Sequence, residues 1–178
     1  MAHFEDKEYK IFEMFHKQWA LVSAGTMENN NGCTVGWGSL GTLWTRPGTD
    51  GAVATVYIYP SRYTWNYLNE NDTFTISFFP EAYRKALGYM GSHSGRDEDK
   101  TSAAGLTVVP FGDSITYKEA SLSILCRKLY QHPFDRESLH PEIQAYYQAN
   151  PKAYPLDANG DWQSHWMFVG QILDVRES

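Results

Sequence analysis

Three short segments of this chain collect the residue types that hold anions and flat rings. The first is Thr34-Val35-Gly36-Trp37-Gly38-Ser39-Leu40-Gly41. It contains no Gly-x-Gly-x-x-Gly ahead of a helix and no Walker lysine, so neither nucleotide fingerprint applies. Two readings fit it. In one, backbone N–H groups and the Thr34 and Ser39 hydroxyls meet a flat or phosphorylated ligand, with Trp37 as a wall. In the other, the glycines belong to a twisted, bulged strand. The second segment is Tyr59-Pro60-Ser61-Arg62-Tyr63-Thr64. A strand ends here and a helix begins, which exposes N–H groups at the positive end of the helix dipole. Arg62 and the hydroxyls of Ser61 and Thr64 are what a phosphate would ask for. Ordinary capping by Ser61, with a surface arginine beside it, explains the same residues. The third is Gly91-Ser92-His93-Ser94-Gly95-Arg96-Asp97-Glu98-Asp99-Lys100. Arg96 and Lys100 can meet an anion, or be offset by the three acids between them in a solvated charge cluster.

Other reactive side chains carry less. His132 and His140 flank Pro133-Phe134-Asp135 without the short spacing of paired metal ligands. His165 opens the last strand and reads as a structural hydrogen-bonding residue. No Gly-x-Ser-x-Gly occurs, so a serine hydrolase is not indicated. Cys33 and Cys126 lie far apart and form no Cys-x-x-Cys pair. Cys126 falls mid-strand as an inert core residue. A reduced, cytoplasmic setting is expected.

The elements that must position these residues follow from periodicity. Trp19 to Ala24 and a run from Cys33 to about Trp37 read as a hairpin around Glu28-Asn29-Asn30-Asn31-Gly32. Ala52 to Tyr59 is a strand, stopped by Pro60. Ser61 caps a short helix carrying Trp65 and Leu68. Thr73 to Phe79 alternates, with Phe74, Ile76 and Phe78 opposite Thr73, Thr75 and Ser77, and so reads as a half-buried strand. Pro80 starts a helix through about Met90. A brief helix near Lys100 to Ala104 and a strand at Thr107 to Pro110 follow. Then come a strand at Ala120 to Leu129, a helix at Pro141 to Ala149 and a closing strand from Trp166 to Val175. About six strands with short, irregular helices suggest a mainly β, antiparallel, barrel-like sheet rather than a doubly wound fold.

The 178 residues make a single domain, 1–178. Such a length buries roughly 70% of its unfolded surface and needs no disulfide or metal. With 15 Lys+Arg against 21 Asp+Glu, the net charge of -6 argues against nucleic acid as a partner. Met1 to Lys10 is charged and lacks an apolar leader segment, and no run approaches membrane-spanning length. The 15% aromatic content points to a bulky core and against disorder.

Together the segments resemble the flavin reductase-like, FMN-binding split-barrel family, in particular its flavoredoxin-like branch. The resemblance rests on Gln18-Trp19-Ala20-Leu21-Val22-Ser23-Ala24-Gly25, on Cys33 to Gly41 with Leu43-Trp44, and on Tyr59 to Thr64. It continues through the strand Phe74 to Phe79, Ser94-Gly95-Arg96-Asp97 with Asp99-Lys100, and Gly105-Leu106-Thr107. It closes with Cys126-Arg127-Lys128-Leu129-Tyr130 and His165-Trp166-Met167-Phe168-Val169-Gly170. It spans about residues 11 to 175 and lies in order and spacing rather than in one motif. It implies a six-stranded antiparallel split β-barrel, a homodimer, and one FMN per subunit near the dimer interface. It implies that Thr34, Gly36, Trp37, Gly38 and Ser39 approach the flavin ring and ribityl chain. Tyr59, Ser61, Arg62 and Thr64, with Ser94, Arg96 and Lys100, would complete the binding set toward the phosphate and ribityl groups.

The implied activity is transfer of electrons from NAD(P)H through FMN to a flavin or other acceptor. The alternative is a non-catalytic FMN-binding electron-transfer protein that docks on a redox partner. Hydride transfer needs no acid–base dyad, so no catalytic residue is expected from the protein. Three departures stand out. Cys33 replaces a common methionine, Thr45 to Gly51 is a glycine-rich insert, and His132 to Pro155 inherits little. Tyr146, Tyr147 and Tyr154, in that variable segment, would cover the flavin or a neighbouring subunit.

Overall fold

The computed structural model describes residues 6–178; the first five residues of the charged opening stretch lie outside them. A helical turn at Ile11–Glu13 (α1) runs into a π-helical turn at Met14–Gln18. Ala20–Gly25 (β1) and Asn30–Val35 (β2) form the expected hairpin, paired from Ala20↔Val35 to Gly25↔Asn30. Gly25 ends β1 at φ +113, and a Cβ there would lie 2.2 Å from the Asn29 carbonyl oxygen, so the turn requires glycine. Gly38–Thr42 (β3) and Ala52–Ile58 (β4) come next, then Tyr63–Glu70 (α2) and Thr73–Phe78 (β5). Arg84–Ser92 (α3) and Lys100–Ala103 (α4) precede a second hairpin, Val108–Phe111 (β6) with Ser114–Tyr117 (β7). Leu122–Pro133 (β8), Pro141–Ala149 (α5) and Trp166–Glu177 (β9) complete the order.

The fold is mostly β with short helices. Seven strands form one antiparallel sheet in the order β2-β1-β5-β8-β9-β4-β3, and β6-β7 stands apart as a two-stranded sheet. The sequence pattern marked seven segments as strands, read as about six, against nine strands among the described residues; the two it did not mark are β3 and β7. β3 is Gly-Ser-Leu-Gly-Thr, a composition with little strand propensity, and it pairs with β4 from Gly38↔Val56 to Thr42↔Ala52. Thus the strand reading of the glycine-rich stretch holds for Gly38 to Thr42. Among the described residues, no helix is long and apolar enough to cross a membrane.

The alternation in β5 misled in one respect. Phe74, Ile76 and Phe78 fill the main core with Val22, Ile124 and Phe168, as their spacing requires. Thr75 and Ser77 are fully buried too, because a second core covers the other face. That core contains Leu21, Leu87, Met90, Ile115 and Tyr117. Burying hydroxyls is costly unless each finds a partner. Thr75 Oγ1 donates to the Ile115 carbonyl at 2.7 Å, Ser77 bonds Thr116 at 2.9 Å, and Ser23 bonds Tyr117 at 2.9 Å. The polar face of β5 is therefore a seam under the β6-β7 hairpin rather than a solvated surface.

Two helix starts also differ from expectation. Ser61 does not cap α2; the cap position is Arg62, in extended conformation and without a side-chain cap bond. Pro80 precedes a 3₁₀ turn, Glu81–Tyr83, which leads into α3. Pro141 does open α5, where the His140 ring accepts from the Glu142 N–H.

The sheet centre leaves no room at Gly170. An added Cβ would lie 2.6 Å from Cys126 Cβ and 2.7 Å from the Phe74 ring. Gly170→Ala should cost about 1–3 kcal/mol through overpacking. The expected reading is a lower urea midpoint with an unchanged slope; an unchanged midpoint would contradict this packing.

Candidate functional site

A helix ends in carbonyls that its own N–H groups cannot reach. In α3 they are met by cations. Lys100 Nζ donates to the Met90 carbonyl at 3.0 Å and to that of His93 at 3.1 Å. Arg62 Nη1 donates to the Gly91 carbonyl at 2.8 Å. The negative end of the helix dipole favours both. Close by, Arg96 Nη1 donates to the Ser61 carbonyl at 3.2 Å, and its guanidinium lies 4.6 Å from the Tyr63 ring centroid. Ser94 Oγ accepts from the Arg96 backbone N–H at 3.2 Å. So the second and third segments do meet in space, across the end of α3.

Among the described residues, none of these three cations has a carboxylate within 4 Å; the ion pairs there are Lys7–Glu177 and His140–Glu142. The acids expected to offset Arg96 and Lys100 are engaged elsewhere or exposed. Asp99 caps α4 by accepting from Ser102, and Glu98 accepts from the Tyr89 hydroxyl. Lys100 is only 4% exposed. Burial holds its pKa below the ordinary lysine value, and the Arg62 charge adds to the effect.

Arg62 also borders an aromatic slot of about 140 Å³. One wall is Cys33 to Trp37, where the chain leaves β2 before entering β3. Another is Tyr57 to Tyr59 at the end of β4, and the outer wall is Ala153 with Tyr154. The Trp37 and His165 rings lie 4.8 Å apart. Tyr59 donates its hydroxyl to the Pro155 carbonyl at 2.7 Å. The Tyr147 hydroxyl takes the His165 backbone N–H at 3.3 Å and lies 2.6 Å from its Nδ1. That oxygen is thus free to give its proton to a neutral imidazole. Burial, reinforced by Arg62, holds the His165 pKa at about 4, so the ring is neutral at pH 7. Burial likewise pushes the Cys33 thiol up, which keeps it protonated. On the other side of the cations, Arg96 and Lys100 border an open cavity of about 1,000 Å³ that reaches the Met27 to Asn31 turn.

The expected site residues therefore divide. Thr34, Gly36, Trp37, Tyr59 and Arg62 line the slot, and Arg96 and Lys100 line the larger cavity beside it. Thr34 is tied to α3, donating its hydroxyl to the Leu87 carbonyl at 2.6 Å. Thr64 lies beneath the surface, accepting from Asn31 Nδ2 at 2.9 Å. Ser61 contributes its carbonyl, and Ser94 orders the Arg96 loop. The structure does not bring Gly38 or Ser39 to the slot. Gly38 gives way to the Phe15 ring, which a Cβ would approach to 2.3 Å, and Ser39 is exposed opposite Thr55 on β4. Sequence reasoning missed Cys33, Ala153 and His165 as slot residues. Tyr154, expected as a cover for the ligand or a neighbouring subunit, does line the slot; nothing in the sequence marked Ala153.

The model of the flavin reductase like domain matches residues 12–178. No curated protein matches the chain. Among solved structures, flavoredoxin of Desulfovibrio vulgaris (Miyazaki F) is 22% identical, with a TM-score of 0.64 over 90% of this chain and 69% of its own. The FMN-binding protein from Thermus thermophilus with bound 1-cyclohex-2-enone is 20% identical, with a TM-score of 0.66 over 99% and 80%. The NADH:FAD oxidoreductase of Streptomyces globisporus C-1027 is 12% identical, with a TM-score of 0.64 over 95% and 80%. These likenesses concern the fold, a split barrel. The match over nearly its whole length places this chain in the flavin reductase-like domain family.

Proposed function

We propose that the protein binds one FMN per chain and passes electrons through it, from NAD(P)H to a flavin or another acceptor. One observation carries this reading. Arg62, Arg96 and Lys100 converge from two segments without a carboxylate partner among the described residues, beside an aromatic slot. A ligand that joins a phosphate dianion to a flat ring matches both halves. The donor chemistry fits. Lys100 spends two of its three ammonium donors on carbonyls, and Arg62 spends one bond of a five-donor fork. Both retain donors for phosphate oxygens. Trp37, Tyr59 and Tyr154 supply aromatic surface for the ring.

Bound FMN would supply two-electron acceptance from a hydride donor and one-electron release. The chain's own groups set its surroundings. Arg62 and Lys100 offset the phosphate charge. Gly36 and Trp37 lie outside both strand ladders, which leaves their N–H groups for the ring edge. Neutral His165 and the protonated Cys33 add no charge to the slot. The relatives reported above, an FMN-binding protein and an NADH:FAD oxidoreductase, support a flavin and a nicotinamide donor. Trp37 is 46% exposed at the slot, which favours the second reading, electron transfer to a docked redox protein. A homodimer completes the proposal: β3 is an edge strand, and exposed Leu43 and Trp44 follow it.

Titration with FMN should give a yellow protein with about one flavin per chain; no absorbance change at any ratio would overturn the reading. Arg62→Ala should weaken FMN binding by about 1–3 kcal/mol, the worth of a lost charge-assisted contact. Affinity equal to wild type would remove Arg62 from the site. Anaerobic stopped-flow with NADH and NADPH separates the two functions. Rapid bleaching of the flavin indicates the reductase, and its absence with both donors indicates the carrier. A further expectation concerns pH. The folded state refuses His165 a proton that the unfolded chain takes up between pH 6.5 and about 4. Stability from this group is full above pH 6.5 and is lost as pH falls toward 4, by up to about 3 kcal/mol. His165→Gln should flatten that part of the dependence, measured as urea midpoints at about pH 7 and 4.5; parallel curves would refute it.

A further inference from the structure

A second cavity of about 500 Å³ lies against the slot, and Trp37 and Tyr57 belong to both. It is a groove rather than a flat patch. Phe134 closes one side, with its ring stacked on Tyr57 at 5.6 Å and 22°. Leu139, Ile143 and Tyr146, on and just before α5, close the other. No charged side chain lines it. Two of its three tyrosine hydroxyls are already engaged: Tyr146 bonds Tyr154 at 3.0 Å, and Tyr147 bonds His165. The volume falls within the roughly 300–1,000 Å³ typical of small-molecule sites. Trp37, Ile143 and Tyr146 are each more than 40% exposed. A contiguous apolar surface of this kind marks a place where something binds.

We propose that this groove is a second ligand site, and that it takes an uncharged, flat aromatic molecule of one or two rings. The chemistry excludes charged ligands. A sulfonate, carboxylate or phosphate entering it would lose hydration with no cation to receive it. The cations of this region lie beyond the slot, at the end of α3. Flat walls on either side suit a ring, and with only the Tyr57 hydroxyl left to bond a ligand, dispersion and burial supply most of the attraction. The concave form and the shared wall with the slot favour a small molecule over a second copy of the chain. Binding of such a molecule to the groove does not rest on the FMN reading given above.

The test compares 2-naphthol with naphthalene-2-sulfonate, which differ in charge on the same ring system. Calorimetric titration of the full chain, with and without FMN, should show 2-naphthol binding at one per chain. The sulfonate should bind at least about tenfold more weakly, and Ile143→Glu should weaken 2-naphthol by about tenfold or more. Ile143 is exposed on α5, so the variant should keep its circular dichroism spectrum; if it does not, Tyr146→Arg provides the same test. Equal binding of the two probes would overturn the proposal. So would 2-naphthol binding that survives the charge, or no heat up to about 1 mM. Sedimentation of the same samples covers the remaining occupant. A dimer that Ile143→Glu dissociates would mean that a second copy fills the groove, and the proposal falls. If 2-naphthol binds as expected but FMN does not, the groove site stands and the FMN reading fails.

Discussion

The end of α3 carries carbonyls at Met90, Gly91 and His93 that must find donors, and two cations, Arg62 before α2 and Lys100 at the start of α4, supply them. Neutral side chains would satisfy the same carbonyls at lower desolvation cost. A buried lysine loses hydration, and its lowered pKa records that loss. The arrangement makes physical sense as a charge held ready. Each cation is fixed in place by a carbonyl and keeps donors to spare. Like charges held close together destabilise the chain until an anion arrives, so an anion binding here would stabilise the folded state.

This constraint reaches back through the fold. α3 can present its end to Arg62 and Lys100 because Leu87 and Met90 pack it into the second core. That core exists because β5 buries both faces, and both faces can be buried because Thr75 and Ser77 find partners in β7. The Thr34 hydroxyl adds a direct tie from β2 to α3. The polar seam in the sheet and the cation cluster are two ends of one packing solution.

Much of this was legible in the sequence, for identifiable reasons. Arg62, Arg96 and Lys100 announced themselves by type and by lying near helix boundaries. The strands β4, β5, β8 and β9 have β-branched and aromatic residues that strands favour, and β1 is a short apolar run ahead of an Asn-rich turn. What stayed hidden depended on distant partners. Thr75 and Ser77 looked solvent-facing because the hairpin that covers them is some 40 residues onward. β3 was obscured by its glycines. Gly38 and Ser39 sat in a suggestive motif, but only the pairing with β4 decides that they turn away from the slot. Ala153 and Tyr154 reach the site through the folding of a loop with no periodic pattern to follow.

The outer wall formed by Ala153 and Tyr154 separates two tasks within one site. The cations that would anchor a ligand belong to the start of α2, the loop before α4 and the start of α4, while the wall belongs to the α5 segment. That segment rests against the sheet end through Tyr147 and His165 and contributes nothing to the anchor. Changing its length or its aromatic residues would alter what enters the slot and groove while leaving the cation cluster intact. Such a layout lets one barrel serve different partners by exchanging a single cover.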